Sequence, residues 1–228
     1  MSLPALIFDL DGTLVDSVYQ HVLAWHEALQ EAGIELAVWR IHRRIGMSGG
    51  LFTRALLRET GRELDEALLV RLQERHVEAY RARIGEVRAL PGARRLLARL
   101  TELGCPFAIA TSGRLASAGS AIELLDVPQD VPIVTRDLVP HAKPDPDLFL
   151  EAVRQLGVDV VDAVVVGDSV WDMLAARRAH TLGIGLLSGG YGTDELERAG
   201  AYRVYEDPAH LLDHLDEVGV RAERTAPA

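Results

Sequence analysis

Three short, wholly apolar runs constrain this chain more than any other feature: Ala5-Leu6-Ile7-Phe8, Phe107-Ala108-Ile109-Ala110 and Ala163-Val164-Val165-Val166. A strand with one wet face alternates apolar and polar residues. Unbroken runs of this length instead predict strands buried on both faces, as in a parallel sheet covered by helices. Pro132 to Thr135, Leu182 to Leu187 and Arg203 to Tyr205 are further strand candidates. Helical patterns lie between them. Leu96, Leu97, Leu100 and Leu103 follow Pro91 and stop at Gly104, and Phe149, Ala152, Val153 and Leu156 follow Pro146 and stop at Gly157. This alternation, from about residue 90 onward, predicts an α/β fold with a doubly wound parallel sheet.

Residues 16–88 read differently. Val18, Val22, Trp25 and Leu29 form an i, i+4, i+7, i+11 stripe that ends at Gly33. Leu68, Leu72, His76 and Ala79 predict a second long helix, and Leu51 to Leu57 a shorter one after Ser48-Gly49-Gly50. No strand pattern is evident in this stretch. The expectation is an all-helical module, residues 16–88, inserted into a core built from 1–15 and 89–228, with Trp25 and Trp39 in the module's own core.

Bulk composition narrows the partners. A formal charge of -10 disfavours non-specific binding to nucleic acid or to an anionic membrane surface. Neither a signal-like N-terminus nor a membrane-length apolar run is present, and Cys105 is the single cysteine. A cytoplasmic enzyme is the expectation. No dimer seam stands out, so the oligomeric state stays open. Of the 24 basic residues only Lys143 is a lysine, which singles out a position where a compact ammonium resists replacement by a guanidinium.

Ligands of open α/β sheets bind beyond the carboxyl ends of the strands. Asp9, Asp11, Gly12 and Thr13 follow the first apolar run. Thr111, Ser112 and Gly113 follow the second, Gly167, Asp168 and Asp172 the third, and Lys143 belongs to another strand end. Together these parts suit phosphoryl transfer. A carboxylate nucleophile, Asp9, splits hydrolysis into two easier steps through an acyl phosphate. A divalent cation between Asp9 and Asp168 reduces repulsion from the anionic phosphate. Lys143 adds positive charge, Ser112 and Gly113 offer hydrogen bonds, and Asp11 is placed to protonate the leaving oxygen and then activate water.

Asp9-Leu10-Asp11-Gly12-Thr13, with Leu14-Val15-Asp16-Ser17 after it, resembles the first signature of the haloacid dehalogenase-like phosphatases. Thr111-Ser112 resembles the second, Lys143-Pro144 the third, and Gly167-Asp168-Ser169 with Asp172 the fourth. All four stand in the right order. The resemblance implies a Rossmann-like core, Mg²⁺ as cofactor and Asp9 as the phosphorylated residue. It also implies that the backbone carbonyl of Asp11 joins the Asp9 and Asp168 side chains on the metal, with Asp172 in support. The helical insert looks like the family's cap. His21-Val22-Leu23-Ala24-Trp25 and Arg44 to Gly49 are similar to cap segments of the phosphoglycolate phosphatase and β-phosphoglucomutase branch, which makes His21, Arg44 and Arg54 candidate substrate contacts. Two departures stand out: Ala142 and His180 occupy positions where relatives often place glycine.

Asp11 disfavours the dehalogenase reading, because dehalogenation has no leaving oxygen to protonate. A cap without lysine removes the Schiff-base phosphonatase reading. Phosphatase action on a small phosphorylated metabolite, such as phosphoglycolate, a sugar phosphate or a nucleotide monophosphate, is the expected function. The competing readings are a β-phosphoglucomutase-like isomerase and a catalytically silent ligand-binding module.

Overall fold

The computed structural model describes residues 3–61 and 65–221. In chain order the elements are β1 (Ala5–Phe8), β2 (Val15–Asp16), α1 (Val18–Glu31), α2 (Val38–His42), α3 (Gly49–Glu59), α4 (Glu66–Arg83) and β3 (Arg88–Ala89). Then come α5 (Ala93–Glu102), β4 (Phe107–Ala110), α6 (Leu115–Glu123), β5 (Ile133–Val134), α7 (Asp147–Leu156), β6 (Ala163–Gly167) and α8 (Val170–Ala179). The chain continues through β7 (Leu182–Leu186), α9 (Thr193–Ala199), β8 (Ala201–Tyr205) and α10 (Pro208–Asp213).

The three apolar runs are adjacent strands at the centre of a parallel sheet ordered β5-β4-β1-β6-β7-β8. Their burial on both faces explains the unbroken apolar sequence. Leu6, Phe8, Ile109, Val164 and Val166 pack with Leu96, Leu97 and Leu100 of α5 on one side. Ile7, Ala108, Ala110 and Val165 pack with Leu148, Phe149, Ala152 and Val153 of α7 on the other. Each such side chain, fully buried, is worth about 1.5–3 kcal/mol. Among the described residues no helix is long and apolar enough to cross a membrane.

The insert leaves and rejoins the core through a feature that the sequence did not reveal. β2 and β3 pair antiparallel, Val15 opposite Ala89 and Asp16 opposite Arg88. Two-residue strands are too short to carry a period-2 signal. Because the ribbon brings exit and return together, four helices hang from the sheet without interrupting it. The α1 stripe is buried as expected: Val18, Val22, Trp25 and Leu29 meet Phe52, Leu56 and Leu57 of α3 and Leu69 and Leu72 of α4. Trp39 corrects the expectation. It is 63% exposed and lies beneath the Arg40 guanidinium, because the short α2 buries only Ile41. Further along α4, Ala79 and Tyr80 join the core beneath the sheet, so the long helix spans both cores.

His180 explains its own oddity. It ends α8 with φ 61, in the left-handed region where glycine is the unstrained residue.

Candidate active site

The strand order reverses beside β1, so the carboxyl ends of β1, β4 and β6 open into one crevice. Asp9 keeps the sheet register, its N–H donating to the Val166 carbonyl at 2.8 Å. The chain then turns tightly, with Gly12 N–H donating to the Val15 carbonyl and Leu14 N–H to that of Leu10. Gly12 has φ 81, and a Cβ there would lie 2.6 Å from Val18 and 2.7 Å from the Asp168 carboxyl carbon. Only glycine permits both the turn and this approach. Thr13 crosses the crevice, its hydroxyl donating to Asp168 Oδ1 at 2.9 Å.

Beyond β6 the capping is divided between two residues. Ser169, not Asp168, is the N-cap of α8, in a reciprocal box with Asp172: Asp172 Oδ2 accepts from the Ser169 N–H at 3.1 Å and its hydroxyl at 2.5 Å. The Asp168 carboxylate is thereby left to the crevice. Lys143 is fully buried, and its ammonium is paired with Asp9 Oδ1 and, at 2.8 Å, with Asp172 Oδ1.

Carboxylate oxygens of Asp9, Asp168 and Asp172 all lie within 4.8 Å of one another. Burial pushes the Asp9 carboxyl up to about 7, against the pull of Lys143 and with the help of Asp172 and Asp11. Burial, Asp172 and Asp9 together hold Asp168 well above the usual carboxylate range. For Lys143, burial favours the neutral amine, but the charges of Asp172 and Asp9 outweigh it and hold the ammonium above its ordinary range. Ionising all three carboxylates against one ammonium would leave two negative charges in a buried place. An all-oxygen donor set with that deficit fits a hard divalent cation. Asp172 therefore sits inside the acidic cluster, closer to it than a merely supporting residue need be.

Asp11 faces elsewhere. Its Oδ1 accepts from the Ser17 hydroxyl at 2.6 Å and lies 3.2 Å from His21 Nε2. Burial raises its carboxyl, but the His21 charge and the His21 and Ser17 hydrogen bonds outweigh burial and lower it. Two of the anticipated phosphate donors are engaged within the protein: the Ser112 hydroxyl donates to the Gly46 carbonyl at 3.1 Å and Gly113 N–H to Thr111 Oγ1 at 3.0 Å.

Asp9, Asp11, Thr111, Ser112, Gly113 and Lys143 line a cavity of ≈ 260 Å³ between the sheet and the inserted helices, with Asp168 and Asp172 set behind its wall. His21 and Arg44 line it too; Arg44 also pairs with Glu59 and donates to the Arg40 carbonyl. Arg54 does not line it. The buried face of α3 carries Phe52, Thr53, Leu56 and Leu57, which sends Arg54 outward to pair with Glu66 at 2.9 Å. Sequence reasoning missed His76, Gln73, Phe52, Arg114 and Arg136 as lining residues. His76 carried a signal, being the polar member of an otherwise apolar stripe. The insert is seated on the core by the Arg43 carbonyl, which accepts from Trp171 Nε1 at 3.2 Å and the Tyr191 hydroxyl at 2.9 Å. His42 Nε2 lies 2.8 Å from the Gly189 carbonyl, and the Arg43 guanidinium pairs with Glu195.

A sequence model of haloacid dehalogenase-like hydrolases matches residues 3–180. The chain belongs to the haloacid dehalogenase-like hydrolase family. Within that family it is 35% identical to a phosphoglycolate phosphatase of Agrobacterium fabrum over 82% of this chain and 81% of the relative. It is 32% identical to hexitol phosphatase A of Escherichia coli over 78% of this chain and 81% of that one. A crystal structure of a hydrolase from Pseudomonas syringae superposes with a TM-score of 0.92 at 52% identity, covering 95% of this chain and 99% of that one.

Proposed function

We propose that the chain is a Mg²⁺-dependent phosphatase that hydrolyses a small phosphomonoester through phosphorylation of Asp9. The observation that carries this reading is the buried constellation of Asp9, Asp168, Asp172 and Lys143 at the sheet's reversal point. Phosphatase action on small substrates is supported by the two curated relatives, a phosphoglycolate phosphatase and a hexitol phosphatase. A cavity of ≈ 260 Å³ suits a metabolite of that size.

Asp9 attacks phosphorus, the bond to the leaving oxygen breaks, and Asp11 gives that oxygen its proton. Asp11 then takes a proton from water as the water oxygen bonds to phosphorus, which releases inorganic phosphate and regenerates the Asp9 carboxylate. Lys143 offsets negative charge gathering at Asp9. Mg²⁺, held by the Asp9 and Asp168 carboxylates with Asp172 beside them and the Asp11 carbonyl, would supply the charge that lets an anion approach a carboxylate. Ser112 and Gly113 serve the phosphoryl group by exchanging their present partners for its oxygens.

The test is a panel of about 80 phosphorylated metabolites with Mg²⁺, ranked by kcat/KM, since discrimination is a difference in transition-state binding. Acid-quenched enzyme is expected to carry phosphate on Asp9. Conversion of β-glucose 1-phosphate to glucose 6-phosphate without matching free phosphate would overturn hydrolysis in favour of isomerisation. Absence of any turnover with metal bound would favour a silent module.

A further inference from the structure

We infer that His76 is a positioning residue for proton transfer at Asp11, acting through His21; the inference rests on the acid–base role proposed for Asp11. Three side chains from separate elements stand in line. Asp11 Oδ1 lies 3.2 Å from His21 Nε2, and His21 Nδ1 lies 3.1 Å from His76 Nε2. Asp11 belongs to the turn after β1, His21 to α1 and His76 to α4.

Hydrogen-bond parity gives the line a direction. Oδ1 of Asp11 accepts whether or not Oδ2 carries a proton, so the His21 nitrogen facing it must carry a hydrogen. In the neutral ring the other nitrogen, Nδ1, is then an acceptor that needs a donor. His76 Nε2–H supplies it. Burial holds His76 well below the ordinary imidazole range, so it stays neutral. Ring stacking limits other orientations: His21 lies on Tyr80 with centroids 3.8 Å apart at 5°, and His76 on Trp25 at 4.1 Å and 12°. Ser17 and His21 both engage Oδ1 of Asp11, which assigns the transferable proton to Oδ2. Without the His76 nitrogen, Nδ1 loses its partner, the His21 ring is free to turn, and Oδ2 loses its fixed aim at the leaving oxygen.

A positioning role of this kind depends on how much the leaving oxygen needs a proton. An alkoxide needs it; p-nitrophenolate, a weak base, does not. The experiment compares kcat/KM, which covers the steps through departure of the leaving group, for p-nitrophenyl phosphate and for the best alkyl phosphomonoester of the panel. It uses the Mg²⁺-loaded wild type, Asp11→Asn, His76→Leu and His76→Gln. For His76→Leu the alkyl ester is expected to lose about 10-fold, less than the ~10²-fold cost of a full 1 Å misplacement because Ser17 still holds Asp11, while the aryl ester stays within about twofold. His76→Gln, whose amide N–H can donate in place of Nε2–H, is expected to recover most of the loss.

Equal losses on both esters, or a rise in KM alone, would make His76 a structural or substrate-contact residue and overturn the inference. A leaving-group effect in Asp11→Asn but not in His76→Leu overturns the inference and leaves the reading of Asp11 intact. No such effect in Asp11→Asn removes that reading and the inference with it. Should His76→Leu fail to fold, ¹⁵N-histidine spectra of the wild type at about pH 9, where imidazoles are neutral, decide the matter. Hydrogen on Nε2 of both rings is expected, and hydrogen on Nδ1 of His21 overturns the inference.

Discussion

Gly189→Ala isolates the placement of one carboxylate. Gly189 has no positive φ that would bar alanine, so the substitution acts through the added methyl group. That carbon would lie 2.5 Å from Cγ and 2.7 Å from Cβ of Asp168, and would collide still more closely with Oδ2. Carbon pairs settle at about 3.5–4.0 Å, so the Asp168 side chain must retreat by about 1 Å. A shift of that size in a reacting constellation costs about 10²-fold, or roughly 2.7 kcal/mol of transition-state stabilisation. The assay is phosphate release over a Mg²⁺ titration. The expected result is a fall in kcat/KM of about this size with a higher half-saturating Mg²⁺ concentration, and no further loss when Gly189→Ala is added to Asp168→Ala. Activity within twofold of wild type, or an additive loss in the double variant, would refute the argument that Gly189 acts through Asp168.

Asp9→Asn should abolish turnover and covalent phosphate while leaving circular dichroism unchanged, because an amide cannot form the acyl phosphate. In metal-free protein Asp9, raised from 3.8 to about 7 chiefly by burial, keeps a proton that the unfolded chain releases. Its contribution to stability is therefore full below about pH 4 and falls as pH rises to about 7, by up to ~1.4 kcal/mol per unit. Urea denaturation in EDTA at pH 5 and pH 7 should show the wild type losing stability relative to Asp9→Asn, and a pH-independent gap would contradict the assignment. Leu56→Ala, at a fully buried site in the inserted helices' core, should cost about 2–5 kcal/mol, read as a lowered denaturation midpoint. His180→Gly should raise stability by up to about 1 kcal/mol, since φ 61 costs any residue with a Cβ about 1–2 kcal/mol, part of which glycine returns as unfolded-state entropy. An unchanged or lower midpoint would show that the His180 side chain offsets the strain.

What the sequence determined by itself was local or periodic. Residues buried on both faces of a sheet leave no polar trace, so Ala5–Phe8, Phe107–Ala110 and Ala163–Val166 announced the central strands. Strand-end carboxylates are legible for the same reason: Asp9 follows such a run directly, and Asp168 follows one after Gly167. The i, i+4, i+7, i+11 stripe of α1 likewise foretold which face is buried.

Tertiary structure decided whatever depends on which distant residues share a few ångströms. Arg44 and Arg54 look alike in sequence, but the turn after α2 carries Arg44 to the cavity, whereas the rotation of α3 sends Arg54 to Glu66. Trp39 is as apolar as Trp25, but the short α2 leaves it in water. His76 read as one more position on a helical stripe until α1 and α4 packed together and set its ring against His21. Periodicity records which face of an element is turned inward. It carries no record of what another element, many residues away, will bring to meet that face.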